Sequence, residues 1–313
     1  MTIGIGACGP RAGRAVFEAL RAAERVGHGA IGGFVTFAVI SEDGKVRTAV
    51  TQRGGTTTLF TEGETTGVEP PGAFADARFA AVISSGPDRP VPLERFIPAD
   101  GGVGLVTGHR IPPSTGSDGK PMNAALLERL RAGMPAEGAV AEVMRATPEA
   151  DCGLIAVTTG GEVASGNTER VKRRPDTGAA SLRDPATGAA VAVLCNAIRP
   201  WPVLADLAAA VAIDVMRAGT EPAGRITLVA GTPIGMGPAN AVFCDDGGRS
   251  LRVTTTDPAV GERGELGAAI YLASEVYLGD RLVGHTTFEP ITTIEGGRLT
   301  LFSGKEELEM TYR

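Results

Sequence analysis

Apolar positions along the chain come in short runs, punctuated by Gly, Pro, Asn and Asp, and the spacing within each run predicts its structure. Thr2 to Ala7 reads as a strand, broken by Gly9-Pro10. From Arg11 to Val26, Val16, Leu20, Ala23 and Val26 share one helical face, while Arg14, Glu18, Arg21 and Arg25 lie elsewhere; Gly27 stops the helix. Ala30 to Ile40 is β-prone, Glu42-Asp43-Gly44-Lys45 is a hairpin turn, and Val46 to Thr51 returns. Residues 62–76 read as surface loop. Phe79 to Ser84 and Val103 to Thr107 are strands, each running into a turn-rich loop. Helices follow over Asn123 to Arg131 and from Pro135 to before Thr147-Pro148. Cys152 to Val157, a Gly160-Gly161 turn and Glu162 to Gly166 form a hairpin; residues 169–188 read as loop, and Ala189 to Leu194 as strand. Pro202 to Met216 is a helix apolar nearly all round, so it belongs in a core or between copies of the chain. Strands at 225–230, 240–245, 250–256, 281–288 and 297–302 alternate with Gly-rich turns to the end.

Strands joined as sequential hairpins predict mostly antiparallel sheets, hence an α+β fold. No fixed-period repeat and no clear linker stand out, so residues 1–313 read as a single domain, with a processing or sub-domain boundary near 151/152 as the best candidate division.

Composition narrows the function classes. The net charge is −6, and the only basic run is Arg170-Val171-Lys172-Arg173-Arg174, so no nucleic-acid partner is expected. No apolar run reaches a membrane span, and no secretory leader precedes the first strand, so a cytoplasmic protein with no membrane partner is expected. Aromatic residues are 4%, which leaves the core to Ala, Val, Leu and Ile. Cys8, Cys152, Cys195 and Cys244 are scattered, and His28, His109 and His285 stand alone. Neither a disulfide framework nor a metal or other cofactor is expected. A Walker loop and a GxSxG elbow are missing, and although Gly4-Ile5-Gly6-Ala7-Cys8-Gly9 has GxGxxG spacing at a strand-to-helix junction, no acidic residue stands at the right place on a second strand, so no dinucleotide site is expected.

The segment from Ala150 to Val171 carries the most chemistry. Cys152 opens a strand as a candidate nucleophile. The hairpin returns Asn167 and Thr168 towards it as oxyanion donors, and Arg170 follows as a carboxylate clamp. Two further clusters, Ser84-Ser85-Gly86-Pro87-Asp88-Arg89 and Gly108-His109-Arg110, each follow a strand. They are candidates to line one anion-binding pocket, with His109 and Arg110 contacting substrate. Asn196 sits at a strand end, where a turn-forming Asn and a site residue are equally readable.

This stretch resembles the N-terminal nucleophile (Ntn) hydrolases, most closely the isoaspartyl peptidase, asparaginase and glycosylasparaginase branch. Cys152 stands at the nucleophile position, Gly161 in the turn, Thr168 near the second hydroxyl, Arg170-Val171 at the substrate-binding pair, and Gly178-Ala179-Ala180 near a Gly-Ala-Gly. Asp151-Cys152 is similar to the Asp-Thr junction at which that branch cuts itself. Lys172 and Arg173 replace the acidic residue that follows Arg-Val there, and the nucleophile is Cys rather than Thr. The resemblance covers about thirty residues. It implies a four-layer αββα sandwich and an amidohydrolase acting on a small asparagine-like or isoaspartyl-like compound. Thr36, at the head of another hairpin, and Thr2, the first residue once Met1 is removed, are alternative nucleophiles. A small-molecule substrate and a homo-oligomeric state are the expected partners. The competing expectation is a non-catalytic small-molecule-binding or scaffolding protein of the same fold.

Overall fold

Along the first strand, Ile3, Ile5 and Ala7 alternate with Gly4 and Gly6, so one face is aliphatic and the other nearly bare. That asymmetry governs how the layers stack. The computed structural model describes residues 2–86, 88–218, 222–261 and 266–313. The chain divides into two compact units, Met1–Thr220 and Glu221–Arg313.

The first unit runs β1 (Thr2–Cys8), α1 (Ala12–Val26), β2 (Val35–Ile40), β3 (Val46–Thr51), α2 (Thr56–Leu59), β4 (Thr61–Glu62) and β5 (Thr65–Thr66). It continues through α3 (Gly72–Ala75), β6 (Phe79–Ser85), β7 (Ala99–Asp100), β8 (Gly104–Arg110), α4 (Met122–Arg131) and α5 (Ala136–Ala146). It ends with β9 (Cys152–Thr158), β10 (Val163–Asn167), α6 (Glu169–Lys172), β11 (Thr177–Arg183), β12 (Ala190–Asn196) and α7 (Trp201–Ala218). Six strands form an antiparallel sheet in the order β11-β12-β1-β6-β2-β3, which puts β1 between β12 and β6. Four more form a second antiparallel sheet, β10-β9-β8-β7.

Helices α1 and α7 cover one face of the larger sheet. Val16, Phe17 and Leu20 of α1 and Ala205, Ala209 and Ala212 of α7 share a core with Ile3, Ile5, Val82 and Val193. Each fully buried large apolar side chain there contributes about 1.5–3 kcal/mol. The other face packs on the smaller sheet, where Ala38, Ile83 and Leu194 meet Leu105, Ile155 and Val157. The far face of the smaller sheet carries α4 and α5 through Leu126, Leu130, Val140 and Val143 over Val106, Leu154 and Ala156. Gly4 and Gly6 allow the sheets to approach. A Cβ on Gly4 would fall 2.1 Å from the carbonyl oxygen of Gly108, and one on Gly6 would fall 2.8 Å from methyls of Ile155 and Val157.

The second unit comprises β13 (Gly224–Val229), β14 (Thr232–Met236), β15 (Ala241–Cys244), β16 (Ser250–Thr255), β17 (Leu266–Ala268), β18 (Glu275–Leu278), β19 (Arg281–His285), β20 (Ile291–Glu295), β21 (Arg298–Phe302) and β22 (Glu307–Tyr312). Eight strands pair in the order β17-β20-β21-β14-β16-β15-β18-β19, and β13 pairs with β22. The β14–β16 and β15–β18 pairings are parallel. Leu228, Val242, Val253, Val276, Leu299 and Phe302 form its core.

The chain is therefore mixed α and β with mostly antiparallel sheets, as the hairpin pattern predicts. Two expectations are corrected. The division falls at 220/221, so residues 1–313 are not one domain. Residue 151 is inside the first unit, because Val106 and Met122 before it share a core with Leu154 and Ala156 after it. Residues 169–188 are not all loop, since they hold α6 and β11. β11 is an edge strand with only Gly178 buried, so no apolar alternation marks it. No described helix is long and apolar enough to cross a membrane.

Candidate functional site

The β8–β9–β10 ladder brings the expected residues of this region to one end of the smaller sheet. His109 and Asn167 both pair with Gly153, and Arg110 pairs with Cys152. The Thr168 amide donates to the Cys152 carbonyl at 3.1 Å. The side chains, however, part to opposite faces. Cys152 shares the α4/α5 face with Leu154 and Ala156. His109 and Asn167 meet over the other face at Gly153, where a Cβ would lie 2.1 Å from Asn167 Oδ1 and 2.5 Å from His109 Nε2.

Cys152 is fully buried, and its sulfur has only a long 3.9 Å contact to the Pro112 carbonyl. Burial, reinforced by the Asp151 carboxylate, pushes the thiol far above its ordinary range, so the nucleophilic thiolate is suppressed. Thr168 caps α6: its hydroxyl donates to the Ala150 carbonyl at 2.7 Å and accepts from the Val171 amide at 3.4 Å. Arg170 is exposed and touches the Glu149 carbonyl at 3.4 Å. Thr36 is buried and donates to the Leu93 carbonyl at 2.8 Å. These four side chains do not converge. Three are committed to the scaffold, and the fourth faces solvent.

Thr2 has different surroundings. It opens the central strand β1, with Asn196 on one side and Ser85 on the other. Residues alternate across a strand, and Ile3 faces the helices, so Thr2, Ser85 and Asn196 all face the smaller sheet. Thr2 lines a cavity of about 340 Å³ together with Arg89, Pro90, Arg95, Phe96, Arg110, Ile111 and Pro113. Arg89 and Arg110, expected to share an anion pocket, do line this one cavity.

Each guanidinium is held differently. Arg89 donates to Ser85 Oγ and lies 6.0 Å from the centre of the Phe34 ring. Gln52 clamps its backbone, donating to the Arg89 carbonyl at 2.7 Å and accepting from its amide at 3.0 Å. Arg95 lies over Phe96 at 5.7 Å. Arg110 adopts a left-handed backbone, φ 63°, and forks onto Asp151, with Nε 2.8 Å from Oδ1. That guanidinium holds the Asp151 carboxyl below its ordinary range. Among the described residues, Asp151 is the one carboxylate paired with any of these three arginines. The cavity keeps a surplus of positive charge and suits an anion.

Two fully buried polar groups close to this end of the sheets lack complete partners. His109 Nε2 and Asn167 Oδ1 are 2.7 Å apart, with Nε2–H donating, which leaves Nδ1 as an acceptor with no donor. Burial pushes the His109 pKa down to about 4, so the ring is neutral near pH 7. Neither end of the Asn196 amide has a partner among the described residues. Arg95 carries no readable signal in the sequence, being one cation in a short 3-10 turn. Asn196 is readable as a turn former, yet it lies within β12 and bonds no turn.

Residues 2–225 match the family described as a domain of unknown function, DUF6963, and the chain belongs to that family. Residues 231–307 match a second domain of unknown function, DUF7259. The first match ends at residue 225, just past the 220/221 division, and the second begins at residue 231, so each follows one of the two units. No curated protein and no solved structure matches the chain.

Proposed function

We propose that this protein hydrolyses a small amide bearing a carboxylate, as an N-terminal nucleophile hydrolase whose nucleophile is Thr2. The observation that carries this reading is Thr2 itself: a hydroxyl at the head of the central strand, in the wall of a cavity rich in arginine. The stacking of α1/α7, the larger sheet, the smaller sheet and α4/α5 supports it, because an αββα sandwich is the architecture of that superfamily. The buried, protonated Cys152 moves the role of nucleophile away from the Asp151-Cys152 junction.

Removal of what precedes Thr2 frees its α-amine. The hydroxyl attacks the amide carbonyl, a bond forms from Oγ to carbon, and the hydroxyl proton passes to the α-amine. The carbon–nitrogen bond then breaks, and the departing amine takes that proton. Water cleaves the resulting ester by the same route. Arg89, Arg95 and Arg110 hold the substrate carboxylate.

Intact mass, ammonia release from L-asparagine and amino-acid release from β-aspartyl dipeptides test the reading. The expected chain begins at Thr2. Thr2→Ala then loses at least about a thousandfold in rate, while Cys152→Ala stays within about threefold. A chain that keeps Met1 and is as active as its Thr2→Ala variant overturns the proposal. So does a folded Cys152→Ala protein without activity. A chain that keeps Met1, binds succinate and turns nothing over is a carboxylate-binding protein instead.

A further inference from the structure

We infer that Asn196 is the oxyanion donor for the attack at Thr2. The inference rests on the reading of Thr2 as nucleophile. Asn196 and Thr2 are directly opposite on neighbouring strands, with side chains on the same face. Such pairs hold their Cβ atoms about 4.5–5.5 Å apart. A tetrahedral carbon bonded to Thr2 Oγ therefore forms within reach of the Asn196 amide. When Oγ bonds to the carbonyl carbon, the carbonyl π pair moves onto oxygen, and an N–H of Asn196 donates to that oxygen. No bond to Asn196 is made or broken, and the donation ends when the carbonyl re-forms.

The amide is free for this task. Asn196 is fully buried, and neither Oδ1 nor Nδ2 has a partner among the described residues, so the result holds for either orientation of the amide. Its backbone belongs to the β-ladder with Thr177 and Thr2, so the side chain has no part in fixing the strand. A buried amide without partners is costly in a purely structural position, and such costs accumulate where function needs the group. Ser85, the other neighbour of Thr2, accepts from Arg89 and so joins the nucleophile's row to the anion clamp. The row thus has a binding side and an oxyanion side, with the nucleophile between them.

The test compares wild-type, Asn196→Leu, Asn196→Ala and Thr2→Ala chains, full length, with mono-p-nitrophenyl succinate as the probe. This activated ester carries one carboxylate. Thr2→Ala is expected to lose the burst of p-nitrophenolate. Both Asn196 variants are expected to acylate about 10²- to 10³-fold more slowly, with KM within about threefold. Asn196→Leu is expected to melt at or above the wild-type temperature, by up to about 4 °C. Acylation within threefold of wild type in either Asn196 variant overturns the assignment. So does a melting point well below wild type in both, which would show that the amide is held for structure. A wild-type rate no faster than that of Thr2→Ala refutes the nucleophile itself, an outcome distinct from failure of the donor.

Discussion

The two units treat buried polar groups in opposite ways. In the second, each buried serine or threonine hydroxyl among the described residues has a partner. Thr232 and Ser250 bond each other at 2.7 Å, Thr255 reaches Asn240, Ser274 and Thr286 each donate to the Tyr271 carbonyl at 2.7 Å, and Thr292 donates to Gly267. All five of the unpartnered buried side-chain atoms among the described residues lie in the first unit, on Glu24, Ser84, His109 and Asn196. Polar groups in the second unit complete a scaffold. Those of the first are partly left over, and two of these residues lie at the end of the sheets where Thr2 and the arginines meet. An unpaired buried group costs about 1–3 kcal/mol, so the first unit carries a cost that the second avoids.

The largest effect that separates the units comes from glycine. Gly4→Ala drives a methyl onto the Gly108 carbonyl and is expected to cost about 3 kcal/mol or more, whereas Gly235→Ala in β14 meets nothing within 4 Å and is expected to be neutral or slightly stabilising. Denaturant unfolding of both variants checks this, and equal losses would break the contrast.

Next is the response to acid. The His109 pKa is about 4 in the fold and about 6.5 in the unfolded chain, so the unfolded chain binds the extra proton between those values. Its contribution to stability is intact above about pH 6.5 and is lost as the pH falls towards 4, by about 3 kcal/mol in full. His109→Gln keeps a donor for Asn167 and removes this part of the slope. Denaturant curves at pH 7 and pH 4.5 measure it, and parallel slopes for the two chains would show that the ring is not held neutral.

The smallest effect is the most pointed, because its sign differs between units. Thr286→Val strips the acceptor from the Ser274 amide, 2.9 Å away, and the donor from the Tyr271 carbonyl, and is expected to lose about 1–3 kcal/mol. Asn196→Leu is expected to lose nothing. A stable Thr286→Val protein would erase the distinction.

What the sequence reveals follows from how local each cause is. The α1 stripe of Val16, Leu20 and Ala23 and the turn at Asp43-Gly44 are local, and both are readable. The second unit is harder, because β18 and β20 are only four and five residues long, too short for a clear period even though Gly279-Asp280 and Gly296-Gly297 mark the turns after them. The convergence of β8, β9 and β10 is legible from hairpin arithmetic, since arms of similar length return Asn167 opposite Gly153. Hairpin arithmetic counts residues along strands, whereas the face of Cys152 is set by which helices cover the sheet, through contacts with Met122 and Leu126 some thirty residues earlier. The pairing of Thr2 with Asn196 joins the two ends of the first unit, and no local pattern foretells a ladder over that separation.

The four cysteines have a use beyond the site. All are buried, three in the first unit and Cys244 in the second, and burial pushes the Cys195 and Cys244 thiols up to about 12 and the Cys152 thiol further still. A thiol reagent therefore reacts only when a unit opens. Peptide-resolved alkylation over time would run two clocks in one tube, Cys244 timing the opening of its unit while Cys8, Cys152 and Cys195 time the other. Carboxylate ligands of the arginine cavity would slow the second clock by their own binding energy, so affinity becomes measurable before any substrate is known.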